Sequence, residues 1–335
     1  MAVSSEVELI EPSFGRPHLF ILGAGASRAA LPTGDMFGRK IPLMDDLAEV
    51  LEVGKLLAKY GIRASDPNFE ALYSDLHQSQ PGHPLLQELE TAVRTYFVEL
   101  RLPPEPNIYD YLILSLRQKD FIATFNWDPF LLQAAQRNAR IGSHPHLAFL
   151  HGCASLGICD NHRLKAPIPG PCPKCGEKLR PSRLLFPVRD KDYDADTHIS
   201  GEWSAFEAAL QGAYILTIFG FGAPATDAKA FSIMEAAWSK PGVRDLEETE
   251  IIDILPRSDL KARWDPFIVR SHYQIRRDFF ETMVTSFPRI SCEAFFNRVM
   301  LLKIAEANQP PRQMNLVDLQ NWFRPLIEAE NSIAA

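Results

Sequence analysis

The sequence predicts an α/β protein built on an open parallel sheet. Three observations lead there. Short apolar runs recur along the chain, at 18–22, 121–125, 147–150, 213–219 and 250–255. Each is bounded by small or polar residues, as buried strands are. Helical periodicity fills most of the sequence between them, and strands alternating with helices assemble into parallel sheets.

The first run, His18-Leu19-Phe20-Ile21-Leu22, stops at Gly23-Ala24-Gly25-Ala26-Ser27 and reads as strand, tight loop and helix. From 43 to about 102 apolar residues return at helical spacing, as in Leu47, Val50 and Leu51, then Leu85, Leu89, Val93, Tyr96 and Phe97. A helical insertion of about 43–118 therefore separates the first strand from the second. After the second strand, Asp128-Pro129 starts a helix reaching about Arg140. The third strand closes at His151-Gly152, and a Pro-, Gly- and Cys-rich stretch follows to Pro187. Residues 202–210 read as helix, and the fourth strand ends at Gly220-Phe221-Gly222. The fifth is 250–255, and helical patterns fill 264–329. The division expected is 1–255, carrying the sheet, the insertion and a small module at about 153–187, then a C-terminal helical extension at 256–335. Open parallel sheets bind ligands outside the carboxyl ends of their strands. Four such ends carry noteworthy residues: Gly23, Gly25 and Ser27; Asn126 and Asp128; His151; Gly220 and Gly222. One site is expected there, on a Rossmann-like sheet.

Composition narrows the function classes. With 335 residues, 46% hydrophobic and 23% charged, the chain is expected to pack as two domains or as one with a large insertion. Its net charge of -7 removes broad electrostatic attraction to nucleic acid. No apolar run approaches the roughly 20 residues of a membrane span. Residues 1–17 lack the basic start and apolar core of a secretory signal. A soluble, cytoplasmic chain is the expectation.

Each motif has a functional and a structural reading. The glycines of Gly23-Ala24-Gly25-Ala26-Ser27-Arg28 either admit a phosphate to the backbone or make a tight turn, and Arg28 occupies the third glycine position of a dinucleotide loop. Asn126 offers hydrogen bonds to a ribose or a water. Asp128 offers the same, or caps the following helix. His151 is suited to accepting a proton near neutral pH, or serves packing alone. Gly220 and Gly222 allow close approach of a ligand or turn the chain into the next helix. Four of the five cysteines lie between 153 and 175. Cys159 and His162, then Cys172 and Cys175, form two pairs with two intervening residues each, the pattern of a Cys3His zinc knuckle. Cys153 is the alternative to His162. Four protein ligands leave no open position, so this Zn2+ is expected to be structural.

The order of these motifs resembles that of the sirtuin family. Gly23-Ala24-Gly25-Ala26-Ser27 resembles the sirtuin GAGxS loop, Thr124-Phe125-Asn126-Trp127-Asp128 its TQNxD segment and Leu150-His151-Gly152 its LHG segment. Cys159 follows His151 by eight residues, as a first zinc ligand does there, with His162 in place of the second cysteine. Leu179-Arg180-Pro181 and Leu185-Phe186 are similar to the stretch after the last ligand, and Gly220-Phe221-Gly222 falls at the ribose loop. The resemblance covers about 18–255. It departs at Ala30-Leu31-Pro32-Thr33-Gly34-Asp35, where deacylases carry Gly-Ile-Pro-Asp-Phe-Arg and its arginine. That segment, Asn68-Phe69-Glu70 and the Gly220–Asp227 pattern look more like bacterial sirtuin-like effectors of antiviral defence.

What the resemblance implies is cleavage of NAD+ to nicotinamide and ADP-ribose. Asn126 and His151 would be catalytic, with Gly23, Ala24, Gly25, Ser27, Asp128, Gly220 and Gly222 at the dinucleotide. A homo-oligomer or a partner protein would attach through the C-terminal helices. The alternatives are an NAD-dependent protein-lysine deacylase and a non-catalytic sensor of NAD+ or ADP-ribose.

Overall fold

The five apolar runs become β1 (His18–Leu22), β2 (Phe121–Thr124), β3 (His146–Phe149), β7 (Ile215–Phe219) and β8 (Glu248–Ile252). The computed structural model describes residues 15–62, 68–188, 191–240, 242 and 244–334, without the side chains of 331–334. Most of the segment read as lacking a secretory signal thus lies outside the described residues.

A sixth strand, β9 (Tyr273–Arg276), corrects the expectation of helix throughout 264–329. Its residues are all half-buried, Tyr-Gln-Ile-Arg, with no continuous apolar run to announce it. Residues 301–315 also form no helix. The order is β3-β2-β1-β7-β8-β9 with every neighbour parallel. β1 is central, and Leu22 lies beside Thr124 on one side and Phe219 on the other. The chain's direction of travel reverses between β1 and β7, which makes that crevice the switch point of the sheet.

Both faces are covered, which is why the central strands are continuously apolar. Successive side chains point to opposite faces. Phe20 and Leu22 pack with the insertion, while Leu19 and Ile21 pack on the other face. The insertion follows α1 (Ala24–Ala30) and comprises α2 (Met44–Val50), α3 (Val53–Lys59), α4 (Phe69–Ser79), α5 (Pro84–Glu99) and α6 (Ile108–Ser115). α5 starts at Pro84, where a missing N–H costs nothing, and buries Leu85, Leu89, Val93 and Phe97 at helical spacing. α6 opens with a reciprocal cap between Asn107 and Asp110 and is buried from Tyr109 onward.

α7 (Phe130–Asn138) follows β2. On the opposite face lie α8 (Thr197–Gly212), α9 (Ala228–Ser239) and α10 (Arg257–Trp264), which bury Trp203, Phe206, Met234 and Trp264. After β9 come α11 (Met283–Ser286), α12 (Ser291–Val299) and α13 (Leu316–Ala334). α13 sends Leu319, Phe323 and Ile327 into the insertion-side core. The C-terminal region therefore shares the sheet and its core. Residues 156–181 make a separate antiparallel sheet, β5-β4-β6, from β4 (Leu156–Cys159), β5 (Leu164–Pro167) and β6 (Arg180–Pro181). Among the described residues no helix is long and apolar enough to cross a membrane.

Candidate active site and metal centre

A cavity of about 610 Å³ opens at the carboxyl ends of the parallel strands, across the switch point. Gly23, Ala24, Gly25 and Ser27 after β1, Asn126 and Asp128 after β2, His151 after β3, and Gly220 and Gly222 after β7 all line it. The residues assigned to the dinucleotide and to catalysis are thus brought together.

The glycines have a more structural task than the sequence suggested. Cβ atoms on Gly23 and Gly25 would lie 2.5 and 2.8 Å from the backbone of Gly220. Gly220 has φ +60°, and a Cβ there would meet the Ala26 amide nitrogen at 2.3 Å. The β1 and β7 loops therefore touch backbone to backbone, and no side chain fits between them. At Gly222 nothing lies within 4 Å. Gly220→Ala is expected to lose about 2 kcal/mol or more in a urea melt, and Gly222→Ala less than about 0.5 kcal/mol. Equal stability of the two variants would overturn this assignment.

Four side chains form a buried polar network under the loop. Ser27 donates its hydroxyl to Asp128 Oδ2 at 2.6 Å and lies 2.6 Å from the Tyr109 hydroxyl. Asn126 Nδ2 donates to the Gly23 carbonyl and to Ser27 Oγ, each at 2.9 Å. The asparagine amide is thereby fixed, and no protein donor among the described residues reaches its Oδ1. Asp128 also accepts from the Phe130 amide at 3.2 Å, so it serves the helix start and the site together. Burial pushes its carboxyl up to about 6, against the hydrogen bonds from Ser27 and Phe130. Burial also raises the Tyr109 phenol well above its ordinary value.

His151 stands on the other side of the cavity. Phe125 meets its ring edge-on at 4.8 Å and stacks on Phe221 at 4.1 Å. His151 Nε2 is 3.6 Å from Asp227 Oδ1 and has no hydrogen bond. Asp227 is held instead by the Lys191 ammonium, which also donates to the Thr226 carbonyl at 3.0 Å. Burial lowers the imidazole to about 4, opposed by the Asp227 charge and aided by Lys191. The ring is neutral at neutral pH and available to accept a proton. Thr226 donates to Glu70 Oε1 at 2.5 Å and ties this loop to α4.

Tyr109, Asp227 and Lys191 were not assigned from sequence. Tyr109 and Lys191 reach the site through tertiary packing, with no local motif. Asp227 had a signal, its place at the end of the Gly220–Asp227 segment.

The second constellation lies in the small antiparallel sheet. Ligand atoms of Cys159, His162, Cys172 and Cys175 all fall within 4.8 Å of one another. Cys159 Sγ is 3.7 Å from Cys175 Sγ and 3.5 Å from His162 Nδ1, and Cys172 Sγ is 3.6 Å from His162 Nδ1. Tetrahedral zinc with bonds of about 2.3 Å to sulfur and 2.0 Å to nitrogen sets edges of roughly 3.5–3.8 Å. The donor set and its spacing fit zinc. His162 is the fourth donor, since Cys153 is buried elsewhere, its thiol 3.5 Å from the Asp128 carbonyl.

No family model matches the chain, and no curated protein does. Solved structures similar to it include three of Sir2 proteins. One, bound to the inhibitor EX-527, 2'-O-acetyl-ADP-ribose and a deacetylated p53 peptide, is 13% identical over 90% of this chain and 99% of that one, at a TM-score of 0.40. A Sir2 homolog–NAD complex is 14% identical over 96% and 94%, at 0.40. A mutant Sir2 homologue with ADP-ribose is 14% identical over 97% and 98%, at 0.38.

Proposed function

We propose that the chain is a cytoplasmic NAD+ glycohydrolase of the sirtuin-like type, acting as an antiviral defence effector. The observation that carries the chemistry is the convergence of Asn126, Asp128 and neutral His151 on one cavity at the switch point. The sequence resemblance supplies the substrate and the defence setting. In this reading the bond from C1′ of the ribose to the nicotinamide nitrogen breaks, and its electron pair leaves with nicotinamide. Positive charge builds on the ribose as in other glycoside cleavages. Asn126 Oδ1 accepts from a ribose hydroxyl or the attacking water. Water bonds to C1′, and its proton passes to His151. Asp128 fixes Ser27 and, through it, Asn126. Zinc at Cys159, His162, Cys172 and Cys175 is structural, because four protein donors leave it no open position.

We further divide the chain functionally: 1–255 carries the catalytic and glycine-loop residues of the dinucleotide site, and 256–335 carries the surface for attachment to a partner or a second copy, although Arg263 and Arg277 also reach the cavity rim. Leu302 and Ile304, exposed by 85% and 93%, support a contact surface there.

One assay tests the reading: pure protein with NAD+, with and without an acetylated peptide, following nicotinamide. Release without peptide is the expected result. Strictly peptide-dependent release would assign a deacylase instead, and ADP-ribose binding without any release would assign a sensor.

A further inference from the structure

The positive charge around the cavity does not come from the glycine loop. Its amides are engaged inside the protein: Gly23 donates to Phe219, Gly25 to Gly220 and Ala26 to Gly23, at 2.9–3.0 Å. Ala24 alone in that stretch makes none of these bonds. α1, at seven residues, adds little as an anion site. Arg28 lines the cavity, yet its guanidinium is taken by the Ile41 carbonyl and by Asp46 at 2.5 Å.

Two other arginines line the same cavity, and both come from the C-terminal region. Arg263 lies in α10 and Arg277 directly follows β9. Both are exposed. Among the described residues neither has a carboxylate within ion-pair distance, and the one hydrogen bond that either makes there runs from Arg277 Nη1 to the Asp253 carbonyl at 3.4 Å. The Asp253 carboxylate also lines this end of the cavity, where it accepts from the Leu255 amide at 3.0 Å. Guanidinium groups suit phosphate oxygens in charge and in planar donor geometry.

We propose that Arg263 and Arg277 neutralise the diphosphate of the ligand, a charge that the largely engaged amides of the glycine loop leave unmet. This rests on the cavity being an NAD+ site. It makes the cavity a diphosphate site whose affinity depends on salt, with the discriminating residues beyond position 255.

The test is calorimetric titration of the full chain with ADP-ribose and with adenosine as probes, at low and high salt. Arg263→Gln and Arg277→Gln change exposed side chains, and thermal melts establish that the variants fold. Each is expected to weaken ADP-ribose binding roughly tenfold, equivalent to about 1.4 kcal/mol. The double variant is expected to lose most of the salt dependence and to bind adenosine as the wild type does. A double variant that binds ADP-ribose with wild-type affinity overturns this inference and leaves the functional reading standing. A wild type that fails to bind ADP-ribose overturns both.

Discussion

His151→Ala is expected to lower nicotinamide release by about 10²–10⁴-fold, the usual contribution of a positioned general base. Circular dichroism should show the fold retained, since Phe125, Phe221 and Tyr193 continue to pack around the position. The pH profile gives the role a second readout. Burial sets Asp128 near 6 and His151 near 4. As pH falls, Asp128 takes a proton first, and its hold on Ser27, and through Ser27 on Asn126, is lost. The wild-type rate is therefore expected to fall through about pH 6, with His151 adding a second limb only near 4. Asp128→Asn should remove the upper limb. Substantial turnover by His151→Ala, above about a tenth of wild type, would exclude His151 as the base.

Cys172→Ser is expected to cause the largest loss of stability. The metal module's own buried cluster is only Cys159, Cys172 and Leu179, backed by three partly buried residues. Leu156 and Ile158 anchor β4 in the main core, but the turns that carry the ligands have only this small cluster to hold them. Structural zinc binding is worth about 10–16 kcal/mol in small zinc peptides, and a zinc held by Cys159, His162, Cys172 and Cys175 would supply the stability these turns lack. The wild type should carry one equivalent of zinc by elemental analysis. Cys172→Ser, or chelation, should lower the melting temperature by about 10 °C or more. The damage should reach the cavity, because the Leu185 amide donates to the His151 carbonyl at 3.0 Å and the Ser182 amide to the Leu156 carbonyl at 2.8 Å. Cys153→Ser should leave the metal content unchanged. A metal-free protein of wild-type stability would end the zinc assignment.

The sheet was largely legible because it is doubly covered. Burial on both faces writes a strand as an unbroken apolar run, as in Leu19 to Leu22 or Ile215 to Phe219. β9 was illegible for the converse reason. An edge strand of four half-buried residues needs no such run, and Arg257 and Lys261 lie over the Tyr273 ring while Arg276 faces the Glu250 charge. The cavity lining was legible where polar residues follow a strand end, at Asn126, Asp128 and His151. Zinc spacing was legible because ligand geometry constrains residues close in sequence. Tyr109 and Lys191 approach from elements whose placement only the folded chain decides. The glycines were legible as necessary, while the reason, contact between two loops, required the partner loop at Gly220.

The central position of β1 has a consequence for how the chain is made. Its first strand emerges from synthesis long before any neighbour exists. Leu19 pairs with Phe121 on one side and with Leu216 on the other, and β9 adds its residues only at 273–276. Sheets closed by such distant pairings form slowly, because loop closure precedes the reward of contact. A chain arrested before β9 would also expose β8 as an unprotected edge. The cavity rim at Arg277 follows β9 directly, so chains arrested before it lack that rim.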